Sequence, residues 1–121
     1  MNACHAEGRQ AVVVVLDRSG SLLALQRDDN VGSHNIDAAK KKAFTALSTK
    51  TPSRQLAEYA RNHPEAANLN TIDSLLLIGG GVPIKFGTEI IGAIGVGGAG
   101  GAAFDEECAT KAIAKVFPET Q

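Results

Sequence analysis

The sequence predicts an α+β domain, a five-stranded antiparallel sheet flanked by helices. Three observations carry that prediction. Short apolar or β-branched runs at 11–16, 21–26, 75–78, 82–86 and 89–95 are bounded by turn residues, as strands are. Longer stretches at 37–48 and from 105 onward place alanine, leucine and isoleucine at helical spacing. The joins Asp17-Arg18-Ser19-Gly20 and Gly87-Thr88 are hairpin turns, which make the sheet antiparallel. At 121 residues the chain is one domain, 1–121, with length enough for its own core.

Met1 to Gly8 reads as the last turns of a helix, stopped where Gly8 can turn left-handed. Eight residues are marginal for a helix alone, so the opening helix is expected to be truncated or completed by a partner. Ala11 to Leu16 reads as a buried strand and Ser21 to Gln26 as its return. Ser33 to Asp37 supplies capping side chains for a helix over Asp37 to Ser48. Lys40, Lys41 and Lys42 sweep about 200° around that helix, so they cannot all face solvent, and Lys42 is the one expected to turn inward. Thr51-Pro52 opens a second helix, which Asn62-His63-Pro64 ends, and Glu65 to Thr71 reads as a loop. Leu75 to Ile78 is the third expected strand, before the hairpin of strands four and five. Asp105, Glu106 and Glu107 place negative charge at the positive end of a last helix, closed by Pro118.

Composition limits the function. A formal net charge of -1 gives no electrostatic case for nucleic acid or an acidic membrane. The polar Met1 to Gln10 is not a signal peptide, and the apolar run after it is too short to span a bilayer, so the cytoplasm is the expected location. Cys4 and Cys108 cannot make a disulfide framework and read as two reduced, inert thiols, with a single disulfide or a metal pair as the alternative.

Ten of the thirteen glycines lie between Leu75 and Ala109. Glycine costs backbone entropy on ordering, so the cluster calls for close approach of the backbone to something else. A small ligand against Gly80, Gly81, Gly97 and Gly98 would meet that need. Gly95 to Gly100 fits G-x-G-x-x-G literally, but the parallel βαβ context of a dinucleotide site is missing. Three scattered histidines make no metal motif. His5 is a candidate axial ligand for haem iron, against a simple packing role. Arg27 and Asp28 at a strand end, with Lys42 on the neighbouring helix, form the most credible polar constellation, in which Arg27 could grip a carboxylate. The competing reading is a solvated salt bridge.

These residues resemble a known family. Val12 to Gly20 with Leu23-Ala24 and Arg27-Asp28 is similar to its opening hairpin, and Ala39-x-x-Lys42-Ala43-x-Thr45-Ala46 to its first long helix. Gly79 to Ile84, Ile91 to Val96 and Asp105-Glu106-x-x-Ala109 match its most distinctive segments. The family is the GlcG/HbpS-like one, haem-degrading or haem-binding, which includes the C-terminal domain of PduO-type corrinoid adenosyltransferases. The resemblance implies a profilin-like or roadblock-like sandwich, a homo-oligomer from dimer to octamer, and haem or corrinoid as cofactor. The leading expectation is a binding protein for a tetrapyrrole or a small carboxylated metabolite, held by Arg27, Asp28, Lys42 and the glycine backbones. One alternative is a hydrolase- or deaminase-type enzyme with Asp28 or Asp105 transferring the proton. The other is a structural subunit whose glycines only permit close packing.

Overall fold

The structure, a computed structural model, describes residues 1–117. The expected closure of the last helix at Pro118 lies outside the described residues. In chain order the elements are α1 (Asn2–Ala6), β1 (Val12–Asp17), β2 (Leu22–Arg27), α2 (His34–Thr49), α3 (Ser53–Asn62), a 3-10 segment (Pro64–Thr71), β3 (Gly81–Phe86), β4 (Glu89–Gly97) and α4 (Ala102–Val116). The sheet has four strands in the order β2-β1-β4-β3, every pair antiparallel. The architecture is the expected α+β one, with one strand fewer.

The missing strand is Leu75 to Ile78, which is irregular. Two of its backbone groups are met by side chains instead of by a neighbouring strand, and the Leu75 amide donates to the Ile72 carbonyl. Thr45 Oγ1 accepts from the Leu76 amide at 2.8 Å, and Ser53 Oγ donates to the Ile78 carbonyl at 2.7 Å while accepting from the Gly81 amide at 2.8 Å. A four-residue apolar run carries no period that tells a strand from an irregular segment packed under helices. The expected loop at 65–71 is the 3-10 segment, entered through Pro64, whose fixed φ suits a first helical position.

Two layers of helix cover the sheet. Alternation along β1 sends Val12, Val14 and Leu16 to one face, where they pack with Ala93 against Ala39, Ala43 and Ala46 of α2. Ile84, Ile94 and Val96 point to the other face, against Cys108, Ala109 and Ile113 of α4 and Cys4 of α1. The alanines let α2 sit with its backbone almost on the sheet, and the sheet answers with glycine. A Cβ at Gly95 would lie 1.9 Å from the Ala39 carbonyl oxygen, and one at Gly81 would lie 2.0 Å from that of Lys42. No side chain fits at either place.

Cys4 and Cys108 are joined as a disulfide across 104 residues, their Cα atoms 5.0 Å apart, and both are buried. This corrects the expectation of free thiols. The pairing arises because α1 packs on α4, a tertiary fact that sequence spacing does not carry. Lys111 of α4 also meets Glu7 and Glu107, fastening the same corner.

Among the described residues no helix is long and apolar enough to cross a membrane. Substituting Gly95→Ala is expected to lower stability by at least about 2 kcal/mol, because α2 must lift off the sheet to admit the methyl group. The urea midpoint checks this, and an unchanged midpoint would mean that the helix has room to spare.

Candidate functional site

A polar cleft of about 510 Å³ opens at one end of the sheet. Three segments converge there: the link between α1 and β1, the turn between β2 and α2, and the glycine loop after β4. Arg9, Asn30, Asn35, Gly98 and Gly100 are among its lining residues. The glycine loop needs glycine. Gly98 has φ +81° and a side chain there would run into Val31, while Gly100 has φ +110° and faces the Arg9 guanidinium.

Each wall is held by an arginine. Arg27 Nη1 donates to the carbonyls of Asp29 at 3.1 Å and Val31 at 2.9 Å, folding the 28–31 turn back on the end of β2. Arg9 Nη1 donates to the Ala99 carbonyl at 3.2 Å, and the guanidinium lies 3.4 Å above the centre of the Phe104 ring. That stacking fixes the plane of the fork. Arg9 is half-buried, and among the described residues no carboxylate pairs with it. A guanidinium has five N–H donors, so a carboxylate entering the cleft finds several unspent.

Lys42 and Asp105 meet beneath the loop. Lys42 turns inward as expected, and its Nζ donates to Asp105 Oδ2 at 2.9 Å and to the Val96 carbonyl at 3.1 Å. Asp105 Oδ1 accepts from the Ala99 amide at 2.8 Å. The side chains are 6% and 5% exposed, so neither reaches the cleft. Every buried charge here has its partners, and removing one member alone would strand the other at a cost of about 3–5 kcal/mol. Gly80, with φ +133°, passes over the Lys42 stem, and Gly81 receives the α2 backbone. These two glycines make room for protein, whereas Gly97, itself buried, and Gly98 border Asn35, and Gly98 also lines the cleft.

Asp28 and His5 are also brought together. Both Asp28 oxygens lie 3.0 Å from His5 Nε2, and Oδ2 accepts from the Ala11 amide at 2.9 Å. The hydrogen bond from His5, with that from Ala11, holds the Asp28 carboxyl below the usual carboxylate range. Arg27 does not pair with the Asp28 carboxylate; it grips the main chain next door. The five polar residues singled out from the sequence therefore form two pairs and a clamp. His34 lies on the first turn of α2 and is exposed. Arg9, Asn30 and Asn35 had no motif to announce them.

With the geometry in view, the comparisons with known proteins decide the family. The model described as haem degrading protein HbpS-like matches residues 1–114. The chain belongs to the HbpS-like family. HbpS of Streptomyces reticuli, crystallised as a double mutant, superposes with a TM-score of 0.85 at 35% identity, over 96% of this chain and 77% of its own. The PduOC:haem complex does so at 0.82 and 25% identity, over 93% and 83%. The ORFY protein of Klebsiella pneumoniae gives 0.81 and 26%, over 93% and 81%. A curated relative, an uncharacterized 15.0 kDa protein from the dhaT-dhaS intergenic region of Citrobacter freundii, is 27% identical over 89 residues. Those residues are 72% of this chain and 63% of that relative.

Haem, which the family description names, can be tested against these residues. Its propionates suit the Arg9 fork and the asparagine amides. An imidazole nitrogen is a common axial ligand for its iron, and the Nε2 of the candidate His5 is engaged by Asp28. Either Nδ1 serves while Nε2–H stays on the carboxylate, the usual arrangement behind a ligating histidine, or the exposed ring turns away from Asp28. The donor set fits a haem-type ligand at its carboxylate end best.

Because its folded-state pKa is lowered, the stability Asp28 contributes is complete above the ordinary carboxylate value of about 4 and is lost as pH falls through the lowered one. Asp28→Asn should therefore be less stable than wild type at neutral pH, and the gap should close in acid. Urea midpoints between about pH 2 and pH 6 measure it. A gap constant over that range would mean that the carboxylate charge contributes nothing.

Proposed function

We propose that this HbpS-like chain binds a small carboxylate-bearing molecule, a haem-type tetrapyrrole first among them, in the cleft beside Arg9. The observation that supports this most directly is a half-buried, stacked arginine without a carboxylate partner among the described residues, facing a glycine loop in a polar hollow. Arg9 would take a propionate through parallel hydrogen bonds, with Asn30 and Asn35 beside it and the Gly97-Gly98 backbone leaving space. Arg27 and the Lys42–Asp105 pair would keep the two walls in place. Gly80 and Gly81 would serve the packing that carries the loop. His5, backed by Asp28, would offer the imidazole to iron, and bound haem would supply a redox-active metal centre. A corrinoid shares the tetrapyrrole plane, but its amide-rich periphery gives the Arg9 fork less to hold.

Haemin titration followed in the Soret region tests the reading. Wild type should give a saturable spectrum distinct from that of free haemin. Arg9→Ala should weaken binding by about tenfold or more, as loss of a charge-assisted pair does. His5→Ala should move the band while most of the affinity remains. A haemin failure accompanied by thermal stabilisation from a small dicarboxylate would assign the cleft to a metabolite instead. No response to either would end the proposal.

An enzyme acting on a small carboxylate is the second reading. The substrate would sit on the same Arg9 fork, but Asp28 and Asp105 are both fully engaged in hydrogen bonds, which favours binding over proton transfer.

We also propose that the protein is a homo-oligomer that uses the free edge of β2. All six residues of β2 are exposed, including Leu22, Leu23 and Leu25, and among the described residues its outer edge is unpaired. The opposite edge, β3, carries Pro83 and Lys85, the residue types that discourage strand addition. A second copy could extend the sheet antiparallel through β2, and a net charge near zero offers little repulsion. Light scattering should give a multiple of the 12.5 kDa chain mass for wild type and a smaller species for Leu23→Lys. Equal masses would remove β2 from the interface. The buried disulfide favours an oxidising compartment over the cytoplasm expected from the sequence.

A further inference from the structure

The far end of the sheet carries a second hollow, of about 460 Å³, unrelated to the Arg9 cleft. It lies where the β1–β2 turn, the last turn of α2 and the start of β4 meet. Its floor is apolar, built from the half-buried Phe44, Leu47 and Ile90. Its rim is charged, with Arg18, Lys50 and Glu89. Arg18 Nη2 lies 3.3 Å from Glu89, so these two charges offset each other. Lys50 has no carboxylate partner among the described residues. The rim is therefore left with one positive charge over an apolar floor.

The backbone at Lys50 sharpens the case. With φ 55° and ψ 33° it is the one non-glycine residue at positive φ among the described residues, and it ends α2. Glycine is the ordinary occupant of such a position, because a Cβ is strained there. The helix dipole does favour a cation near a C-terminus. That attraction would be available to a lysine anywhere in the last turn and does not require the left-handed site. A lysine standing where glycine is more stable, on the rim of a hollow where it is the charge without a carboxylate partner among the described residues, is a pattern of stability yielded to a local task.

We propose that this hollow binds a small amphipathic monoanion, its apolar body on Phe44, Leu47 and Ile90 and its carboxylate toward Lys50. The site combines an apolar floor with a polar and charged rim, and small-molecule sites likewise join apolar surface to convergent polar groups. One unmatched positive charge selects one negative charge, and the floor selects an alkyl or aryl group over a polar metabolite. The proposal does not rest on the Arg9 cleft and would stand if haemin failed to bind there.

Octanoate is the probe, and 1-octanol its uncharged counterpart. Amide chemical-shift changes on titrating octanoate should cluster at Arg18–Ser19, Leu47–Lys50 and Thr88–Ile90. Lys50→Gly should raise the thermal midpoint of the free protein, because glycine accepts the backbone conformation. The same variant should weaken octanoate binding by about threefold to fivefold, the effect of losing one exposed charge contact, and leave 1-octanol binding unchanged. Lys50→Arg should restore octanoate affinity. Shifts centred elsewhere, equal affinity for octanoate and octanol, or undiminished octanoate binding by Lys50→Gly would each overturn the proposal.

Discussion

The structure depends on how closely the α2 backbone lies on the sheet. Ala39, Ala43 and Ala46 remove side-chain bulk from the helix, and Gly81 and Gly95 remove it from the strands beneath. Where a Cβ would stand 1.9 Å from a helix carbonyl, the contact is one of backbone on backbone. Close packing of this kind gains dispersion across many atom pairs without ordering long side chains. It suits a chain in which aromatics make up 4% of residues, because small residues can fill a core only if the layers approach.

That close approach brings a charged residue into the interior. With α2 so near, Lys42 has no path to solvent and runs under Gly80 to Asp105. The pair ties three elements together: α2 through Lys42, α4 through Asp105, and the end of β4 through Val96 and Ala99. A buried ion pair is weak evidence for stability, since apolar residues of equal volume often do as well. Its geometry does something that apolar packing cannot. Directional bonds at both ends of the Val96–Ala99 segment fix where the glycine loop begins, and with it one wall of the Arg9 cleft. Arg27 does the same for the other wall through main-chain carbonyls.

Much of this was legible in the sequence, for identifiable reasons. Helix and hairpin positions follow from periodicity and turn residues, and both survive in the structure. The inward turn of Lys42 follows from the angular sweep of three lysines. The Leu75 to Ile78 segment reads as a strand in the sequence because four apolar residues specify burial but not backbone partners, and two of those partners, Thr45 and Ser53, are far away in sequence. The glycines were half understood. Their density does signal close approach, but at Gly80, Gly81 and Gly95 the approaching body is α2. Arg9 was invisible because its importance rests on Ala99 and Phe104, about 90 residues downstream, and no local pattern marks it. The Cys4–Cys108 bond is hidden by the same kind of distance.

The two hollows lie at opposite ends of α2, Asn35 bordering one and Lys50 the other. Sixteen residues at 1.5 Å each separate them by about 24 Å. Communication between them would require α2 to shift along its axis or rotate. Carbonyls seated over Gly81 and Gly95 oppose both motions, because a small displacement drives Ala39 or Lys42 main chain into neighbouring strand atoms. The helix that places the two hollows is therefore expected to insulate them, so that a ligand in one should leave the affinity of the other unchanged. Two independent sites on one rigid element are what the glycine–alanine contact permits, and a coupled pair would require that contact to loosen first.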